Sequence, residues 1–75
     1  MELGKKIKQL RLNKGITQEK LADYLKVSFQ AVSKWEQGQT SPDISLLPKI
    51  STFFGVSIDD LFIRIRLTAS PIIIE

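Results

Sequence analysis

The stretch 27-VSFQAVSKWEQG-38 divides its side chains between two faces when wound as an α-helix. Val32 and Trp35 fall on one side, spaced to pack into a core. Phe29, Gln30, Ser33, Lys34 and Gln37 fall on another. That row carries two carboxamides, a hydroxyl, a cation and an exposed aromatic ring. Ser28 can cap the first turn, and Gly38 stands where a helix would end in a left-handed residue. The pattern predicts a short helix over 28–37, held by one face and presenting the other.

Working outward, only Lys26, Val27 and Ser28 separate this helix from the one before it. Thr17 is the expected N-cap of that preceding helix, over 18–25, and Glu19 sits in its first turn, where the helix dipole favours an anion. It would bury Leu21, Ala22 and Leu25. A first helix over 3–14 shows Leu3, Ile7 and Leu10 as its apolar stripe. Beyond Gly38 comes a polar loop, 38–44, with the turn signal Thr40-Ser41-Pro42-Asp43. Pro48 lacks an amide hydrogen and belongs in a first turn, so the fourth helix is expected from Ser45 as N-cap, with Pro48 third, to Phe54. Ser57 and Asp60 match a capping box, and Val56 and Leu61 a hydrophobic staple, for a fifth helix over 58–62. Gly15, Gly38 and Gly55 each follow a periodic segment and read as helix ends. The domain is therefore placed at 1–62. The tail, 63–75, alternates Ile63, Ile65 and Leu67 with Arg64, Arg66 and Thr68, a strand-like period, before Pro71 breaks it.

Composition narrows the function. Seventy-five residues make one small domain, marginal alone unless its helices are well formed or it oligomerises. There is no cysteine and no histidine, which removes disulfides, thiolate chemistry, nearly all zinc sites and the commonest general base. Asp59 and Asp60 are adjacent on a helix and diverge, and Asp60 is accounted for by capping. No phosphate-binding glycine loop is present. No enzyme activity, metal or cofactor is expected. The N-terminus lacks the apolar core of a signal peptide, and no apolar run is long enough to span a membrane, so a cytoplasmic location without membrane contact is expected. Residues 1–34 hold eight cations and three anions, whereas 35–75 hold three cations and five anions. A basic front half suits a polyanionic partner, although lysines on small helical proteins can also serve solvation alone.

Two helices joined by a three-residue turn form a helix-turn-helix, whose second helix fits the major groove. Residues 3–62 resemble the phage repressor and Cro-type helix-turn-helix family, often called XRE-type. The residues that carry the resemblance are Gln18 opening helix 2, Ala22 at the helix crossing, Val32 and Trp35 at packing positions, Gly38 after helix 3, and Gly55-Val56-Ser57 before helix 5. It implies a compact five-helix, lambda-repressor-like domain that binds double-stranded DNA. Ser28, Phe29, Gln30, Ser33 and Lys34 would meet base edges. Gln18, Lys26, Gln37, Gln39, Thr40 and Ser41 would lie along the phosphates. Arg11 and Glu36 match a structural ion pair.

Two positions depart from the family pattern: Lys26 stands where relatives often have glycine, and Phe29 where polar or basic residues are common. Phenylalanine can contact a thymine methyl but cannot hydrogen-bond a base. The reading that results is a transcriptional regulator, a repressor, acting as a homodimer on a near-palindromic operator. The alternative is an antitoxin or protein-interaction module that uses the apolar tail, as a strand or dimerisation arm.

Overall fold

The computed structural model describes residues 2–62. Five α-helices follow in order: α1 Glu2–Lys14, α2 Gln18–Leu25, α3 Phe29–Glu36, α4 Leu47–Phe54 and α5 Ile58–Phe62. A 3-10 turn, Ile44–Leu46, leads into α4. The all-α, five-helix expectation holds across these residues, while the tail and the boundary after Phe62 fall outside them.

Side chains complete the helix starts as anticipated. Lys20 N–H donates to Thr17 Oγ1 at 3.1 Å, and Ala31 N–H to Ser28 Oγ at 3.1 Å. At α5 the bonds are reciprocal: Asp60 N–H donates to Ser57 Oγ at 3.0 Å and Ser57 N–H to Asp60 Oδ2 at 3.3 Å. The ends of α1 to α4 share one closure, a left-handed residue whose amide and successor amide reach back to the last turn. Glycine fills that position in three cases, and Lys26 fills it at the end of α2.

The start of α4 differs from expectation. Asp43, not Ser45, is the capping side chain; its carboxylate accepts from the Ser45 N–H at 3.1 Å and also from the Ser45 hydroxyl. These bonds hold the Asp43 carboxyl below its usual range. The chain makes a 3-10 turn first, and α4 begins at Leu47 with Pro48 second rather than third. A carboxylate two residues upstream outcompetes a hydroxyl as acceptor, and Pro48 still costs no helical hydrogen bond. Helix α3 ends at Glu36, with Gln37 as its cap, and α1 begins at Glu2.

Helix α1 packs against α3, α4 and α5, and α2 packs on α3. Leu3 and Ile7 from α1, Leu21, Ala22 and Leu25 from α2, Val32 and Trp35 from α3, Leu47 and Ile50 from α4, and Leu61 from α5 form one buried cluster. Each fully buried aliphatic side chain contributes on the order of 1.5–3 kcal/mol. Leu10 and Val56 are half-buried against that cluster. The α1–α3 crossing is tightest at Gly4, where a Cβ would stand 1.8 Å from the Trp35 carbonyl oxygen. Only a residue without a side chain allows α1 that close.

Candidate nucleic-acid interface

The turn between α2 and α3 is held by backbone bonds. Val27 N–H donates to the Ala22 carbonyl at 3.0 Å, and Lys26 N–H to Asp23 at 3.3 Å. Lys26 has φ 60 and ψ 44, and its side chain is exposed. Buried Val32 and Trp35 fix the inner side of α3. Phe29, Gln30, Lys34 and Gln37 are exposed on its outer side, and Ser33 is half-buried among them. Phe29 leaves 43% of its surface to solvent, so it takes no place in the core. Trp35 is 4% exposed, which settles its role as packing rather than stacking on a base.

Arg11 and Glu36 pair as expected, in a two-pronged geometry. Arg11 Nε reaches Glu36 Oε2 at 2.7 Å and Nη2 reaches Oε1 at 3.0 Å. Arg11 Nη1 also donates to the Ile16 carbonyl at 2.9 Å. The hydrogen bond to Glu36 raises the Arg11 guanidinium above its ordinary value, opposed by desolvation. Both side chains are buried, at 10% and 3% exposure.

A third member was not visible in the sequence: Gln18 Nε2 donates to Glu36 Oε1 at 2.9 Å. Glu36 thus ties the first residue of α2 to α1 and to the last turn of α3. Gln18 is half-buried, and its amide has a second hydrogen beyond the one given to Glu36. The sequence separation of 18 residues left no local signal for this contact.

The loop after α3 is anchored on α3 itself. Gln39 and Thr40 amides both donate to the Lys34 carbonyl, at 2.9 and 3.4 Å. Gln37 Nε2 donates to Ser33 Oγ at 3.0 Å, and Gln39 Nε2 to Gln37 Oε1 at 2.7 Å. Gln37, Gln39, Thr40 and Ser41 are all exposed. Lys14, by contrast, lies over the Phe53 ring at 5.2 Å, next to the Tyr24–Phe53 ring pair. Among the described residues no acidic or cysteine cluster could hold a metal, and no helix is long and apolar enough to cross a membrane.

Comparison with known proteins agrees with this geometry. A helix-turn-helix family model matches residues 7–61. The chain is 51% identical over 61 residues to the HTH-type transcriptional activator BcrR of Enterococcus faecalis, covering 81% of this chain and 30% of the activator. It is 45% identical over 58 residues to an uncharacterised HTH-type transcriptional regulator of Methanocaldococcus jannaschii, covering 77% of this chain and 88% of that protein. It is 40% identical over 58 residues to a prophage-derived HTH-type regulator, YonR, of Bacillus subtilis, covering 77% of this chain and 54% of the relative. The chain thus spans about a third of one of these relatives and about half of another. In three dimensions it superposes on the restriction-modification controller protein C.AhdI of Aeromonas hydrophila with a TM-score of 0.73 and 28% identity, covering 81% of this chain and 92% of that one. With the tight turn, the buried Val32–Trp35 side of α3 and the Arg11–Glu36 pair in place, these matches show that the chain belongs to the XRE-type helix-turn-helix family of DNA-binding transcriptional regulators.

Proposed function

We propose that this chain binds double-stranded DNA sequence-specifically by laying α3 in the major groove. The observation that carries the reading is the division of α3. Val32 and Trp35 lock it to the core, while Phe29, Gln30, Ser33 and Lys34 remain free of it on one outward face. Gln30 suits adenine, which a carboxamide can bond bidentately, and Phe29 suits a thymine methyl. Ser28 lies at the start of α3 among these base contacts. Gln18 sits at the N-terminus of α2, where free amides favour a phosphate. Lys26, Gln37, Gln39, Thr40 and Ser41 extend the phosphate track on either side of α3.

Two copies on a near-palindromic operator would set their recognition helices about 34–36 Å apart. Occupancy of a site that overlaps a promoter would block transcription, and repression is the outcome proposed. The chain works by binding, with no catalytic step and no cofactor, in the cytoplasm.

The test is duplex affinity measured against salt concentration. Affinity should fall steeply as salt rises, and Lys26→Gly, which removes a cation of the phosphate track, should reduce the log–log slope by about 1. No duplex binding at low salt would point instead to an apolar protein partner, the antitoxin-like alternative.

A further inference from the structure

Phe29 is the first residue of α3 and the only apolar residue among the exposed positions of that helix. Its place is set by backbone bonds on both sides. Lys26 and Val27 amides close the preceding turn onto the carbonyls of Asp23 and Ala22, at 3.3 and 3.0 Å, and Ala31 N–H donates to the Ser28 cap at 3.1 Å. The ring finds no aromatic partner among the described residues. Tyr24, Phe53 and Phe54, by contrast, form one cluster, with successive ring centroids 4.4 and 5.0 Å apart. Phe29 leaves 43% of its surface open, between exposed Ser28 and exposed Gln30. An apolar ring thus stands at the end of α3 that enters a groove first, where base edges are met.

In the major groove the base pairs present hydrogen-bond donors and acceptors, and thymine adds a C5 methyl group. Set against a donor or acceptor, a phenyl ring takes water from a polar group and gives no hydrogen bond in return. Set against the methyl, it removes two apolar surfaces from water at once. We infer that Phe29 makes this chain a reader of pyrimidine C5 methyl groups, so that methylation of a cytosine at the position Phe29 faces strengthens binding. The inference rests on the DNA-reading function proposed above. A cytosine methylated at C5 carries the same group on the same ring carbon as thymine and projects it into the same groove. The two bases differ at the next carbon, thymine O4 against the cytosine N4 amino group, and a phenyl ring bonds to neither. The ligand class therefore includes cytosine-methylated duplexes, and the methyl group becomes a means of regulating occupancy.

The test first selects bound duplexes from a random library with the wild type and with Phe29→Ala. The position that relaxes in the variant is the one Phe29 reads. Affinity is then measured with thymine, uracil, cytosine and 5-methylcytosine at that position, each opposite its normal partner. Thymine and uracil share one hydrogen-bonding edge, as do cytosine and 5-methylcytosine, so polar contacts from Gln30 or Ser33 cancel within each pair. Removing the methyl from thymine should weaken binding roughly fourfold per half-site, and adding it to cytosine should strengthen binding by a similar factor. Phe29→Leu keeps an apolar side chain and should retain both differences, whereas Phe29→Ala should abolish both. Phe29 lies outside the core, so both variants should melt close to the wild type. Equal affinity for thymine and uracil, or for cytosine and 5-methylcytosine, would overturn the inference. So would a methyl effect that survives in Phe29→Ala, or a motif that Phe29→Ala leaves unchanged. If the wild type enriches no sequence at all, the DNA-reading function falls, and this inference with it.

Discussion

Lys26 is the one non-glycine residue with positive φ among those described. A side chain in that conformation costs on the order of 1–2 kcal/mol, and glycine recovers part of this at the expense of a freer unfolded chain. Lys26→Gly should therefore stabilise the domain by roughly 0.5–1 kcal/mol, seen as a melting temperature raised by a few degrees. If Lys26 meets a phosphate, the same variant binds DNA more weakly and with a shallower salt dependence. A variant that melts lower would contradict the backbone reading. Gly4 is the opposite case. A methyl group there collides with the Trp35 carbonyl. Backbone cannot yield as a flexible side chain would, so Gly4→Ala should cost about 1–3 kcal/mol or more by forcing α1 away from α3. Urea unfolding would report it, and an unchanged midpoint would rule out the close crossing. Nothing in the sequence around Gly4 marked it, because the contact belongs to a helix some 30 positions later.

The helices themselves were largely legible. Thr17, Ser28 and the Ser57/Asp60 box each announce a start through a side-chain acceptor placed beside an unpaired amide, which is local chemistry. The start of α4 was misplaced because two acceptors, Asp43 and Ser45, stand two residues apart and Pro48 tolerates either register. At the site, the two faces of α3 follow from periodicity. The Arg11–Glu36 pair was foreseen through family resemblance alone, and Gln18's bond to Glu36 and the Ser33–Gln37–Gln39 series were not foreseen. Such bonds depend on how elements meet, which spacing does not encode. Glu36→Ala should leave Arg11 charged and without its carboxylate in a buried place, a loss of about 3–5 kcal/mol. For a domain of this size that is a large share of total stability. Chemical denaturation checks it, and a loss below about 1 kcal/mol would mean the pair behaves as a surface ion pair.

At the scale of the whole molecule, five short helices converge on one core, and the pieces that would meet DNA come from the start of α2, the turn at Lys26, the outer side of α3 and the loop beyond it. Dimerisation would double that surface and stabilise a small domain. The apolar residues of 63–75 are proposed as its arm. A chain cut after Phe62 should lose the self-association of the full chain in sedimentation, and equal association in both would exclude the arm. Whether α3 reads bases is decided by selecting duplexes from a random library with the wild type and with Gln30→Ala. A base-reading dimer gives a two-fold-symmetric motif that relaxes at one position per half-site in the variant. A motif identical in both proteins, or no enrichment at low salt, would contradict base reading by α3.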